Sequence, residues 1–169
     1  MPIDPIEVLI EIPRGSRNKY EFDKERGIFF LDRVLFSSVH YPTDYGYVVD
    51  TLADDGDALD ALVIVQEPTF PGCHITARPI GVLDMRDEKG DDQKVLAVPL
   101  GDPRYQSIND LKDLDPHWLL EIENFFRTYK ALEDKWTEVV GWEDATVAER
   151  VIKESREMYA RHSRPSDLP

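Results

Sequence analysis

The period of the hydrophobic pattern changes once along the chain, near Leu100, and that change limits the folds open to it. Before it, short stretches with strand character fall at 7–12, 19–23, 28–33, 46–49, 61–66, 74–86 and 94–100, cut apart by Gly, Pro and Asp. Several alternate with period two, which sends successive side chains to opposite faces of a strand, so the region predicts a sheet closed into a small barrel. Beyond Leu100 the spacing turns helical. Asp115 reads as an N-cap and Pro116 as the first helical residue, where a missing N–H costs nothing. Leu119, Ile122, Phe126 and Tyr129 follow at helical spacing, with Trp118, Phe125 and Leu132 widening the apolar stripe. A second helix is predicted over 144–162, with Ala148, Val151, Ile152, Ser155 and Tyr159 on one side. The expected class is α+β, the first helix packing on the barrel.

A chain of 169 residues fits one domain, since a chain of roughly 150 residues hides about 70% of its unfolded surface. Residues 163–169 are polar with two prolines and read as a loose tail of that single domain, 1–169. No apolar run approaches the ~20 residues of a membrane span, and residues 1–12 lack the basic start and apolar block of a signal peptide. Cys73, the only cysteine, excludes an internal disulfide and suits a reducing compartment, so a cytoplasmic location is expected. The net charge of −14 argues against a nucleic-acid partner. It fits a soluble surface and, in a concentrated subset, a site that recruits hard cations.

That subset begins with Asp54-Asp55-Gly56-Asp57-Ala58-Leu59-Asp60, just ahead of the apolar stretch 61–65. Four carboxylates in seven residues repel one another, and divalent cations would relieve the repulsion. A solvated acidic turn explains the same residues, and an EF-hand loop does not fit them. A second acidic group, Asp87 to Lys94, predicts a hairpin between a strand ending near Arg86 and one starting near Lys94, with Asp87 and Asp92 either at the mouth of the sheet or on an exposed hairpin tip. Lys19 and Glu21 share one strand face. Glu11 interrupts the apolar run Leu9 to Ile12, facing either water or a site. Arg33, Tyr41, Tyr45, Tyr129 and Lys130, each readable alone as a surface charge or a core or surface aromatic, together add cations and phenols able to donate to phosphate oxygens, while no Ser/His or Cys/His pair stands out as a nucleophile. The set is equipment for metal-activated water attacking phosphorus.

In order, Ile10-Glu11-Ile12-Pro13, Lys19-Tyr20-Glu21, Asp32-Arg33, Tyr41-Pro42-Thr43-Asp44-Tyr45-Gly46-Tyr47, Asp55-Gly56-Asp57-Ala58-Leu59-Asp60, Asp87 through Lys94, and Tyr129-Lys130 resemble the family I soluble inorganic pyrophosphatases of bacteria, from about Val8 to Trp142. The resemblance implies a five-stranded OB-like barrel flanked by two helices, a homohexamer, and Mg²⁺-dependent hydrolysis of the magnesium complex of pyrophosphate to two orthophosphates. It implies that Asp55, Asp60 and Asp92 hold a first Mg²⁺, that Asp60 shares a second, that Asp87 and Asp92 hold the metal arriving with substrate, and that Glu11 and Glu21 serve a further metal. It further implies that Lys19, Arg33, Tyr45, Lys94, Tyr129 and Lys130 grip phosphate oxygens, that Tyr41 lines the site, and that Asp57 takes a proton from a water bridging two metals, which then attacks directly. Ala58 stands where the family often has Pro, and His40 where an apolar residue is common; neither change removes a catalytic group. Two other readings remain open to the sequence: another metal-dependent phosphohydrolase, although no G-x-x-x-x-G-K-[ST] loop is present, and a non-catalytic cation-binding barrel.

Overall fold

The strand-patterned segments pair into a closed sheet in the computed structural model, which describes residues 3–163. The strands are β1 (Ile6–Ile12), β2 (Asn18–Asp23), β3 (Ile28–Val34), β4 (Asp44–Val48), β5 (Asp60–Val63), β6 (His74–Asp87), β7 (Gly90–Pro99) and β8 (Thr137–Glu143). Five of them close a ring in the order β1-β4-β5-β7-β6 and back to β1, which removes the open edges of a flat sheet. Every pairing in the ring is antiparallel except β5 with β7. β8 adds to the outer side of β6, and β2 with β3 forms a separate two-stranded arm.

Alternation divides the buried side chains between two faces. Leu62, Ile64, Leu96, Val98 and Leu83 fall in one apolar cluster, completed by Ile122, Phe125 and Phe126 of helix α1 (Pro116–Thr128). Ala61, Val63, Val95, Ala97 and Val82 fall in the other, completed by Ala148, Val151 and Ile152 of helix α2 (Ala145–His162). β5 is buried on both faces, which explains its unbroken apolar run. Asp115 caps α1 by accepting the His117 N–H, with Pro116 inside the first turn, and Asp144 caps α2 by accepting the Val147 N–H. No helix among the described residues is long and apolar enough to cross a membrane.

The structure departs from the sequence reading at several boundaries. β7 starts at Gly90 rather than Lys94, because 90–93, poor in strand-forming residues, are held by pairing with β6. β4 starts two residues earlier than expected, and β5 stops at Val63 rather than 66. β8 was not anticipated: Val139 pairs with Met85 and Gly141 with Asp84, so Val140 is an extra residue that breaks the alternation. Leu132 is not part of the α1 stripe. The helix ends at Thr128 with Tyr129 as its cap, and Leu132 lies in a following 3₁₀ turn, 65% exposed. Tyr159 sits at the edge of the α2 face, also exposed. Of the tail read over 163–169, all but Ser163 lies outside the described residues.

Candidate active site

Sheet register builds the centre of the site. Asp60, the first residue of β5, is the ladder partner of Lys94 on β7 and of Tyr47 on β4. Residues two apart share a face, so Asp92 joins Lys94 and Tyr45 joins Tyr47 on the same side. Lys94 Nζ donates to Tyr45 Oη at 2.8 Å and to Asp60 Oδ2 at 2.9 Å, and pairs with Asp92 Oδ2 at 3.1 Å, while Lys94 is only 2% exposed. Burial alone would lower the Lys94 pKa, but Asp60, Tyr45, Asp92 and Tyr129 together hold it well above the ordinary lysine value. Burial pushes Asp92 up, Lys94 opposes it, and Asp60 adds to the rise. Tyr45 is likewise pushed well up, by burial and then by Asp60.

The acidic loop between β4 and β5 is tied shut by one buried threonine. Thr51 Oγ1 donates to Val48 O at 2.6 Å and accepts the Leu59 N–H at 3.0 Å, fixing both ends. Inside the loop, Gly56 takes φ +87°, and Asp55 Oδ1 accepts the Asp57 N–H at 3.0 Å. Asp54, Asp55 and Asp57 are exposed, and Asp55 is pushed up by burial of its carboxyl and then by Asp57 and Asp92.

Two β-bulges aim side chains that strict alternation would not. In β1, Ile10 faces Gly46 and Ile12 faces Tyr45, leaving Glu11 as the extra residue. Glu11 turns into the cleft, accepts the Phe22 N–H at 2.9 Å, and has its pKa raised to about 7, chiefly by burial. Gly46 permits this, because a Cβ there would collide with the Leu9 carbonyl oxygen. In the β2–β3 arm, Lys19 faces Arg33 and Tyr20 faces Leu31, so Asp32 is the extra residue. Its Oδ2 takes both Arg33 Nη1 at 2.8 Å and Lys19 Nζ at 3.3 Å. Burial works to raise the Asp32 pKa, but Lys19 and then Arg33 hold it below the usual carboxylate value.

The far wall comes from the β6–β7 hairpin and the end of α1. Asp87 Oδ1 accepts the Lys89 N–H at 2.8 Å in the two-residue turn. Tyr129 stacks on Phe125, with ring centroids 5.2 Å apart, and burial raises its pKa to about 12. Tyr41, 1% exposed, packs against Tyr45 and Phe125 and is pushed up by burial. Lys130 is lowered by burial, which outweighs Asp87 and Glu88.

All of these walls enclose one cleft of about 440 Å³, lined by every residue the sequence singled out: Asp57; Lys19, Arg33, Tyr41, Tyr45, Lys94, Tyr129 and Lys130; Glu11, Glu21, Asp55, Asp60, Asp87 and Asp92. Ten carboxylates line it against seven Lys and Arg side chains, so a polyanion meets net repulsion unless further cations enter. The donors are oxygen throughout, and burial already destabilises Asp55 and Asp92 as anions, so the residues present fit hard divalent cations. Among the described residues no three of them close into a preformed cage, and the Lys94 ammonium stands between Asp60 and Asp92. The sequence reading gave no role to two residues that hold the walls. Asp32 was hidden because neighbours on a strand should point opposite ways. Glu133, 2.7 Å from Arg33 Nε, lies a hundred residues away in sequence with no pattern to link the two.

Oxygen ligands for hard cations facing phosphate donors, on a small closed sheet, place the chain among the metal-assisted phosphohydrolases. Known proteins narrow that class. The profile of the inorganic pyrophosphatase family matches residues 8–160, through most of α2 and beyond the segment where the motifs lie. The inorganic pyrophosphatase of Synechocystis is 56% identical, covering 91% of each chain, and that of Halalkalibacterium halodurans is 58% identical over 91% of this chain and 96% of its own. The crystal structure of inorganic pyrophosphatase from Thermus thermophilus superposes with a TM-score of 0.91 at 43% identity, covering 93% of this chain and 92% of that one. The chain belongs to the inorganic pyrophosphatase family.

Proposed function

We infer that the chain is an inorganic diphosphatase, hydrolysing pyrophosphate to two orthophosphates, and that its substrate is the magnesium complex. The observation that carries this reading is the single cleft in which the acidic loop, the Lys94 row and the cationic walls meet. Asp55, Asp60, Asp87, Asp92, Glu11 and Glu21 are the residues that would hold Mg²⁺. Bound divalent ions neutralise phosphate charge and make water acidic enough to lose a proton near neutral pH. Asp57 is exposed to the cleft on a loop whose backbone is fixed, which suits a group that accepts a proton from attacking water. Lys19, Arg33, Tyr45, Lys94, Tyr129 and Lys130 would donate to phosphate oxygens where charge grows in the transition state, with Tyr41 supporting Tyr45 from behind. No covalent phosphoenzyme is needed.

We read 1–169 as one domain in the cytoplasm, with neither nucleic acid nor membrane as partner. A homohexamer is the proposed state; apolar side chains left in the open support self-association, among them Phe30, Leu31, Val34 and Phe36 near the arm, and Leu120, Trp136 and Val140 beside α1 and β8. Sedimentation of the purified chain tests it. Asp57→Asn tests the catalytic assignment: folding and Mg²⁺ binding stay as in the parent, and turnover falls by about two to four orders of magnitude. Turnover within a factor of about two of the parent removes Asp57 as the base.

A further inference from the structure

We propose that Glu133 is a positioning residue for substrate, acting through Arg33. The inference rests on the reading of Arg33 as a phosphate donor. Arg33 comes from β3, in the two-stranded arm that does not belong to the closed sheet. Its Nη1 is held by Asp32 at 2.8 Å, and its Nε lies 2.7 Å from Glu133 Oε1. The Nε contact is an ion pair without a well-directed hydrogen bond, and Nη2 has no partner in the protein. Two of the three guanidinium nitrogens thus face carboxylates, and the third, Nη2, is shut off from solvent without a protein partner in a residue that lines the cleft.

Glu133 is an unusual partner. Its side chain is only 4% exposed, and its second oxygen has no hydrogen bond. A buried ion pair with unsatisfied atoms on both partners is a poor device for stability, because desolvating the charges offsets most of their attraction. It is a good device for direction, since a planar guanidinium held between two carboxylates keeps one orientation beside the cleft. The turn that supplies Glu133 also ties it to the opposite wall: Glu133 N–H donates to Lys130 O at 3.0 Å, one residue after Tyr129 caps α1. Glu133 therefore sets the arm's cation at a fixed distance from the cation and phenol at the end of α1.

A double-mutant cycle decides it. Glu133→Gln keeps shape and removes charge; Arg33→Ala removes the group it acts through; the two are measured alone and together. The readouts are kcat and KM for magnesium pyrophosphate, and binding of methylene diphosphonate by calorimetry in Mg²⁺. Glu133→Gln is expected to lower kcat/KM and weaken diphosphonate binding by about tenfold in the parent, and by less than about twofold once Arg33 is Ala, the non-additivity of contacting residues. Equal factors in both backgrounds, or a change below about twofold in the parent, overturn the proposal. If the Gln variant does not fold, Glu133→Asp enters the same cycle, with the same outcomes. Parent protein inert toward pyrophosphate counts against the assigned activity, while the diphosphonate cycle still decides the coupling.

Discussion

Replacing Lys94 with Met removes one ammonium and keeps most of the side chain's volume, so its effect isolates the charge at the centre of the site. In the parent that charge faces Asp60 Oδ2 at 2.9 Å, Asp92 Oδ2 at 3.1 Å and Tyr45 Oη at 2.8 Å in a position only 2% exposed. Lys94→Met leaves two carboxylates facing each other across a buried gap, and removing one partner of a buried pair costs about 3–5 kcal/mol. For a chain of this size each kcal/mol moves Tm by about 2–4 °C, so a fall of about 10 °C is expected with metal removed by EDTA. Saturating Mg²⁺ offers the same carboxylates another cation, and with the competing ammonium gone the variant should bind it about ten to a hundred times more tightly than the parent, which returns about 1.4–2.7 kcal/mol more to the variant than to the parent. The assay is urea unfolding at fixed protein concentration, with EDTA and then with Mg²⁺. The variant's deficit should shrink by about half or more in Mg²⁺. A loss under about 1 kcal/mol in EDTA, or a deficit that Mg²⁺ leaves untouched, refutes the reasoning.

Gly46→Ala should cost more than about 3 kcal/mol in urea unfolding, because the added Cβ collides with the Leu9 carbonyl oxygen and sits 2.9 Å from Ile10 Cα, neither of which can rotate away; a cost below about 1 kcal/mol would mean that the bulge at Glu11 does not need the close approach. Asp32 has a folded pKa below its ordinary value, so the stability it contributes is present above the unfolded value of 3.8 and is lost as pH falls through the lower folded one. Asp32→Asn should therefore narrow its stability gap to the parent as pH drops below 3.8, read by urea midpoints across that range, and a gap independent of pH would show that the Lys19 and Arg33 contacts carry no proton-linked energy.

What the sequence disclosed and what it hid divide along a physical line. Local signals survived intact. Asp115-Pro116 and Asp144 start the two helices as their capping chemistry requires, and the acidic loop sits where Gly56 and the flanking strands put it. Signals that depend on pairing did not. Closure of the ring joins β1 to β6 across some seventy residues, and β8 is recruited by β6 in spite of an interrupted alternation. Both bulges follow from register alone, so the sequence leaves Glu11 between water and the site and gives Asp32, beside Arg33, no role. Motif order brought these residues to one cleft because most of the motifs lie at strand ends around the same mouth, and Tyr129-Lys130 follows the end of α1 there.

Orthophosphate released by the purified chain from pyrophosphate and from ATP, each with Mg²⁺ and with EDTA, tests the assignment as a metal-dependent diphosphatase most directly. Release from pyrophosphate should exceed release from ATP, and EDTA should abolish it. Faster turnover of ATP, or pyrophosphate cleavage indifferent to EDTA, would contradict that assignment.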